Sequence, residues 1–213
     1  MNIDTALDKL NTLLPLKARQ DCLETELQTL HRNILLNFAY SGQALNVENK
    51  EQLEILSKND LIVWDDQSNK IIGAYPFSLK ETAHHVSLNI ADGTTDGIVE
   101  LYAMCAFDAV SIAPVFGIST KIISHCHSTK EKIEINQDAN TIKSIKPSED
   151  IYIGIKWQQT GSCAAESLCM EMVFLKDKKV AKEWESSDEN INVFPLDEAI
   201  EFSINYFKPL IDS

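Results

Sequence analysis

The chain has 213 residues, of which 44% are hydrophobic and 24% are charged, an ordinary balance for a folded domain. Its 19 basic and 32 acidic side chains give a formal net charge of −13, which repels the phosphate backbone of nucleic acids and anionic membrane surfaces. These values argue against wholesale disorder and against nucleic acid or a membrane as the main partner.

The N-terminus and the cysteines predict a location. The first residues, MNIDTALDKL, lack the apolar stretch of a secretory signal, and no uncharged apolar run reaches the roughly 18 residues that a membrane span requires. The chain has 5 cysteines, and this odd number favours reduced thiols over a disulfide framework. We therefore expect a soluble, cytoplasmic protein.

The first third of the chain is predicted to be helical. Leucines at three- and four-residue spacing predict helices over residues 3–14 and 21–42, and a third, shorter helix is predicted over residues 46–60. Residues 61–75 contain two apolar runs around a polar turn, which predicts a β-hairpin. Helices followed by a hairpin are typical of a winged helix, so we assign residues 1–80 to a winged-helix-like N-terminal domain.

The charge of this domain argues against DNA binding. Residues 1–80 contain 8 Lys and Arg against 11 Asp and Glu. The third predicted helix, at the position of a recognition helix, has more glutamates than lysines. Because DNA-reading domains normally carry a basic surface, we predict a structural role for residues 1–80.

Residues 81–213 alternate between predicted strands and helices and form the second predicted domain. Strands are predicted over residues 83–90, 120–128, 131–136, 140–146, 150–157 and 168–175, with a turn over 92–97. Helices are predicted over residues 98–117, 178–186 and 195–211, and the first should be buried and end near Pro114 and Gly117. This order indicates an α+β fold with a mixed, largely antiparallel sheet and flanking helices.

Cys105 and Asp108 are the first candidate functional residues. They lie three residues apart in the apolar segment LYAMCAFDAV, which places them on one face of a helix. An ionised Asp108 raises the pKa of the neighbouring thiol, so the pair is poorly suited to a free thiolate nucleophile. It suits a soft metal cation, which prefers thiolate and displaces the thiol proton onto the carboxylate. Cys169 is a second cysteine in an apolar setting, and spacing alone leaves open whether it meets Cys105.

A structural zinc site is a competing interpretation. His125, Cys126 and His127 together with Cys105 or Cys169 would supply four ligands. The segment lacks the usual C-x-x-C or H-x₃₋₅-H spacing, and on a strand the Cys126 side chain points away from both histidines. We therefore consider zinc the weaker hypothesis.

The segment ELYAMCAFDAVSIAPVFGISTKIISHCHST closely resembles the core of the alkylmercury lyases (organomercurial lyases). In that family a cysteine and an aspartate three residues later are followed by an SHC segment. The resemblance extends upstream through DDQSNKIIGAYPFSLKETAH and downstream through IKPSEDIYI and CMEMVFLKDKKVAKEW. It is weaker over the first helices, which fit the family's winged-helix N-terminal domain in outline.

The resemblance implies roles for several residues. It implies that Cys105 and Cys169 are the catalytic thiols that bind mercury, that Asp108 carries the proton, and that Cys126 is structural. The implied reaction is protonolysis, R–Hg⁺ + H⁺ → R–H + Hg²⁺. It requires no cofactor, because mercury is substrate and product and external thiols act as reductant and product acceptor.

The resemblance also bears on the pocket. Met104 and Leu168 occupy positions where the family often has aromatic residues, and together with Phe107 they are expected to form an apolar pocket that excludes water and raises the pKa of the aspartate. Cys22 and Cys163 have no clear family counterpart.

The implied partners are small organomercurials, cellular thiols and a mercuric reductase that receives Hg²⁺, with no nucleic acid and no membrane. Two other functions stay open. A protein with the same pocket could bind or sequester thiophilic metal without cleaving a bond. A winged-helix regulator could sense metal through these thiols, although the acidic third helix argues against it.

Overall fold

Helices form the beginning of the chain. The computed structural model describes residues 1–91, 96–148, 150–159 and 164–212, so Cys163 and most of the predicted turn at 92–97 lie outside the described residues. The N-terminal helices are α1 (Ile3–Leu13), α2 (Leu16–Asp21), α3 (Thr25–Ser41) and α4 (Lys50–Lys58). The three predicted helices are confirmed, whereas the short α2 was not predicted.

Local capping explains where these helices begin and end. The side chains of Asn2 and Asn49 accept hydrogen bonds from backbone N–H groups in the first turns of α1 and α4. Gly42 ends α3 in a left-handed conformation with φ of 64°, as expected for a C-terminal cap. A Cβ atom at Gly42 would lie 1.7 Å from Cγ1 of Val99, so a larger residue does not fit there.

An antiparallel sheet follows the helices. Its strands are β1 (Val63–Asp65), β2 (Lys70–Ala74), β3 (Phe77–Ser78), β4 (His84–Ala91), β5 (Asp96–Ala103), β6 (Ser119–His125), β7 (Lys132–Asp138) and β8 (Thr141–Lys146). Their spatial order is β1-β2-β3-β5-β4-β6-β7-β8, and neighbouring strands pair antiparallel. The predicted hairpin at 61–75 is confirmed, and it continues through β3 into the rest of this sheet.

The helix predicted over residues 98–117 is wrong in its first part. Residues Asp96–Ala103 form β5, which pairs with β4 along its whole length, and the helix α5 covers only Ala106–Phe116. Leu101 and Ala103 are buried whereas Ile98 and Glu100 are exposed, which is the two-residue alternation of a half-buried strand. This alternation is hard to distinguish within a continuous apolar run.

A smaller sheet completes the fold. It has the order β10-β9-β11, formed by Met172–Leu175, Tyr152–Lys156 and Ile191–Pro195. The strand predicted over 168–175 begins instead as a 3₁₀ helix, Leu168–Glu171, and β11 was not predicted. Helices α6 (Lys178–Glu185) and α7 (Leu196–Phe207) agree with the predicted helices.

Helix α5 lies at the centre of the molecule. It contacts β4, β5, β6 and β7 of the large sheet, and it also contacts β10 and α7. All its residues from Ala106 to Ala113 are buried, as expected for a helix that is apolar on all sides. The predicted α+β fold with a largely antiparallel sheet is confirmed. Within the described part of the chain, no helix is both long and apolar enough to cross a lipid bilayer.

Candidate active site

Cys105 lies at the junction between the large sheet and the central helix. It is the N-cap residue of α5, and its Sγ accepts a hydrogen bond from the Asp108 backbone N–H at 3.3 Å. An N-cap side chain normally receives this bond from the second or third helical residue, and Asp108 is the third. The two residues are therefore paired as a cap and its first helical turn, rather than as neighbours on one helix face.

Cys169 reaches the same place from a distant part of the chain. It lies in the 3₁₀ helix Leu168–Glu171, just before β10. The Sγ atoms of Cys105 and Cys169 and a carboxylate oxygen of Asp108 all lie within 4.8 Å of one another. All three residues are at most 3% exposed. The structure thus brings together the three residues that sequence spacing alone could not join, and we call them the dithiol site.

The dithiol site faces a small apolar cavity of about 10 Å³, here called the site cavity. A space of this size holds about one water molecule. Besides the dithiol site, its walls are Leu10, Leu14, Tyr75, Phe107, Met172, Phe202, Tyr206 and Phe207. Helix α1, the hairpin region, α5 and α7 all contribute, so distant parts of the chain must fold together to close the cavity.

Burial controls the protonation of Asp108. It raises the pKa of this carboxyl group from 3.8 to about 7, although hydrogen bonds with Cys105 act in the opposite direction. Its Oδ2 atom is buried and has no hydrogen-bond partner among the described residues. A protonated carboxyl group tolerates such a position better than a carboxylate does, so Asp108 is suited to hold a proton near neutral pH.

The two thiols also hold their protons tightly. Burial, the hydrogen bond with Cys169 and the charge of Asp108, in that order, raise the pKa of Cys105 well above its usual value. The hydrogen bond with Cys105 lowers the pKa of Cys169, but burial and the charges of Asp108 and Asp60 outweigh it, so its pKa is also raised. The expected effect of Asp108 on the Cys105 thiol is therefore confirmed, with burial as the larger cause.

A surface cleft of about 500 Å³ leads to one of the thiols. We call this space the surface cleft. The residues that line it are Glu81, Thr82, Ala83, His84, Met104, His125, Cys126, His127, Lys130, Cys169, Met170, Val173 and Phe174. Cys169 lines both the surface cleft and the site cavity, whereas Cys105 lines the cavity and, within the described residues, not the cleft. Cys169 is thus the thiol nearer to solvent.

The predicted pocket residues lie in different places. Phe107 lines the site cavity and packs against Phe202 with ring centroids 4.8 Å apart. Met104 lines the surface cleft rather than the cavity. Leu168 is fully buried and, in the part of the chain that the structure describes, belongs to the lining of neither.

The residues of the alternative zinc site do not form a ligand group. Among the described residues, one group of three or more Cys, His, Asp or Glu side chains lies close enough together to hold a metal ion, and this group is the dithiol site. His125 and His127 are exposed, whereas Cys126 is fully buried at the end of β6. All three border the surface cleft, but their ligand atoms do not converge with those of the dithiol site.

Sequence reasoning missed several residues around the site. Met172 lines the site cavity, although the sequence predicts only an apolar strand over residues 168–175. Tyr75 also lines the cavity, and its hydroxyl group donates to Asp60 at 3.4 Å. Asp60 also accepts the Ala164 backbone N–H at 3.3 Å and pairs with Arg19 at 3.4 Å, which links the segment before Cys169 to the N-terminal helices. No sequence pattern signals these contacts, because they join distant segments.

Comparisons with known proteins agree on one family. The family model for the alkylmercury lyases (MerB) matches residues 77–208. An alkylmercury lyase from Bacillus cereus is 29% identical over 136 residues, which cover 64% of this chain and 58% of that relative. One from Staphylococcus epidermidis is 24% identical over 154 residues, which cover 72% of this chain and 65% of that relative. The chain therefore matches less than two thirds of the length of these curated relatives.

A solved structure extends the comparison to the fold. The mercury-bound form of MerB2 superimposes with a TM-score of 0.71 at 20% sequence identity. The superposition covers 92% of this chain and 98% of that one. The α+β architecture, including its helical N-terminal part, is therefore similar to that of a known fold.

Proposed function

The chain belongs to the alkylmercury lyase family, and from this we propose that it cleaves the carbon–mercury bond of organomercurials by protonolysis. The observation that carries the proposal is the convergence of two buried thiols and one carboxyl group within 4.8 Å. Mercury is a soft cation, for which thiolates are the preferred protein ligands. A carboxyl group beside the bound metal can supply the proton that replaces it on carbon.

We propose that Cys169 captures the substrate first, because it borders both the surface cleft and the site cavity. An organomercurial bound to a small thiol exchanges ligands: Cys169–SH + R–Hg–SR′ → Cys169–S–Hg–R + R′SH. Cys105 then adds to the same mercury through its sulfur, and its proton passes to the ionised carboxyl group of Asp108. The metal is now held by two thiolates and still carries its organic group.

Proton delivery completes the reaction. The two sulfurs donate electron density to mercury and weaken the carbon–mercury bond, so negative charge develops on carbon. Asp108 protonates this carbon, which releases R–H and leaves Hg²⁺ between the thiolates and Asp108 ionised. Burial raises the pKa of Asp108 to about 7, so the carboxyl group can both accept and return a proton near neutral pH. Holding acid and carbon together can contribute about 7–11 kcal/mol of the lowered barrier.

The decisive experiment is detection of the hydrocarbon. We expect the purified protein, with excess small thiol, to release methane from methylmercury or benzene from phenylmercury, measured by headspace gas chromatography. Asp108→Asn should still bind the organomercurial but release no hydrocarbon. Binding without any hydrocarbon from the wild-type protein would establish a sequestration protein instead, and full activity of Asp108→Asn would exclude the proton relay.

We further propose that residues 1–80 form a winged-helix-like domain that closes the site, while residues 81–213 carry the chemistry. Leu10, Leu14 and Tyr75 line the site cavity, and the Tyr206 hydroxyl group donates to the Leu14 carbonyl oxygen. These contacts support a structural use of the helices. Sequence-selective DNA binding in a gel-shift titration at low salt would contradict it.

The proposed setting follows from the chemistry. We propose that the protein works without a resident cofactor, in the cytoplasm, where cellular thiols keep its cysteines reduced and accept the product. A mercuric reductase is the proposed recipient of Hg²⁺. Cys22, Cys105, Cys126 and Cys169 are free thiols in the structure, which is compatible with this setting.

A further inference from the structure

A third sulfur atom adjoins the dithiol site. Sδ of Met172 lies 3.5 Å from Sγ of Cys105, and Met172 is only 3% exposed. Met172 lines the same cavity as Cys105, Asp108 and Cys169. By contrast, Met170 is 66% exposed and borders the surface cleft.

The backbone fixes the position of Met172 relative to both thiols. Its N–H group donates to the carbonyl oxygen of Cys169 at the end of the 3₁₀ helix. As the first residue of β10, it is also paired with Ile155 of the central strand β9. Met172 and Cys169 therefore belong to one turn closed by a backbone hydrogen bond, and β10, which begins at Met172, packs against α5, whose N-cap is Cys105.

We propose that Met172 is a third sulfur ligand for mercury in this site; this rests on the proposed function. A thioether is a soft donor, as thiolates are, but it carries no proton and no charge. The thioether therefore coordinates mercury through a sulfur lone pair without losing a proton, so no base is needed. The proton that Asp108 accepts from Cys105 and delivers to carbon is unaffected. The thioether adds electron density to the metal and holds Hg²⁺ after the hydrocarbon has left.

The test compares Met172→Leu with the wild-type protein and with Met170→Leu as the matched control. Leucine fills a similar apolar volume without the sulfur, so the fold should be kept, which circular dichroism and a thermal melt check. Each protein is loaded with less than one equivalent of mercuric chloride in the presence of dithiothreitol. This competitor restricts Hg²⁺ to the strongest site, and Cys105→Ser serves as the reference in which that site is destroyed.

We expect dithiothreitol to remove Hg²⁺ from Met172→Leu at about tenfold lower concentration than from the wild-type protein. Loss of a residue that supports a metal site typically lowers metal affinity by about this factor or more. Met170→Leu should match the wild-type protein. An unchanged competition curve for a folded Met172→Leu overturns the proposal. Hydrocarbon release is measured separately, so failure of this inference leaves the proposed lyase activity standing.

A second measurement leaves Met172 in place. In protein labelled with selenomethionine, mercury X-ray absorption should detect a selenium neighbour in addition to sulfur, and Met170→Leu should retain it. A mercury environment that contains sulfur but no selenium overturns the proposal. If Cys105→Ser no longer retains mercury, the selenium signal belongs to the dithiol site. If the selenium signal persists in Cys105→Ser, both the assignment of Met172 as a ligand and the proposed site are overturned.

Discussion

Cys105 and Cys126 are both buried cysteines, yet their surroundings act on the thiols in opposite ways. Burial, Cys169 and Asp108 raise the pKa of Cys105. For Cys126, burial acts in the same direction, but hydrogen bonds with Thr129 and neighbouring backbone groups outweigh it and lower the pKa. The thiol that ionises more easily is therefore outside the dithiol site. This agrees with the protonolysis proposed for the dithiol site, which uses protons held close to the metal rather than an activated thiolate.

The backbone around Cys126 explains its different role. Its N–H group donates to the Glu131 carbonyl oxygen, and its own carbonyl oxygen accepts the Lys130 N–H. These bonds close the turn between β6 and β7, where Lys130 adopts a positive φ of 60°. Under the proposed function, the comparison separates a cysteine that binds mercury from one whose backbone closes a turn.

The largest expected effect comes from removing single sulfurs. Cys105→Ser and Cys169→Ser should each lower hydrocarbon release by about a thousandfold or more, the scale seen when a reacting group is lost. Cys126→Ser should keep most of the activity per folded molecule but lose about 1–3 kcal/mol of unfolding free energy, because a hydroxyl group is placed in a buried turn. Headspace analysis and urea unfolding measure the two quantities. A folded Cys126→Ser without activity would remove the distinction between the two cysteines.

The next effect concerns pH and the folding stability contributed by Asp108. Burial raises its pKa from 3.8 to about 7, so the folded state binds this proton more tightly than the unfolded state. The contribution of Asp108 to the free energy of unfolding is therefore greatest below about pH 4 and is lost as the pH rises to about 7. As the pH is raised from 4 to 8, the free energy of unfolding of Asp108→Asn should increase relative to that of the wild-type protein by on the order of 4 kcal/mol.

The measurement is urea unfolding of both proteins across this pH range. His31 and His84 contribute the opposite slope, since burial lowers the pKa of each from 6.5 to about 4 and stability is lost as the pH falls through this window. The difference between variant and wild-type protein cancels this contribution. Asp66→Asn, which removes an exposed carboxyl group, is the matched control. Parallel curves for Asp108→Asn and the wild-type protein would mean that Asp108 is ionised in the folded state.

The smallest effect is the order in which the thiols react with iodoacetamide. Cys22 is exposed and should be labelled first, which provides an internal reference. Cys169 should follow several-fold faster than Cys105, because it borders the surface cleft whereas Cys105 faces the site cavity. Peptide mass spectrometry over a time course measures these rates. Labelling of Cys105 before Cys169 would reverse the proposed order of substrate capture.

Much of the fold could be predicted from local patterns. The leucine spacing of α1, α3 and α4 and the hairpin over residues 61–75 are properties of short segments, and the structure agrees with them. The sequence predicts a helix over most of β5, because a continuous apolar run hides the alternation of the strand. The 3₁₀ helix that presents Cys169 falls within a predicted strand, because Leu168 and Cys169 are apolar and buried as strand residues would be.

The candidate site was only partly within reach of the sequence. Cys105 and Asp108 are neighbours along the chain, and the effect of the acid on the thiol pKa could be predicted from elementary electrostatics. The approach of Cys169 required the family resemblance, since no local pattern joins it to Cys105. Met172 and Tyr75 could not be found at all, because they reach the site cavity only through the packing of segments that are distant in sequence.

The hydrogen bond between the Tyr206 hydroxyl group and the Leu14 carbonyl oxygen joins the two ends of the chain beside the site cavity. During synthesis α7 leaves the ribosome after the three residues of the dithiol site have emerged. The site cavity is therefore complete only once α7 has emerged, because Phe202, Tyr206 and Phe207 form part of its wall, and a chain truncated before α7 would carry the same thiols without this enclosure.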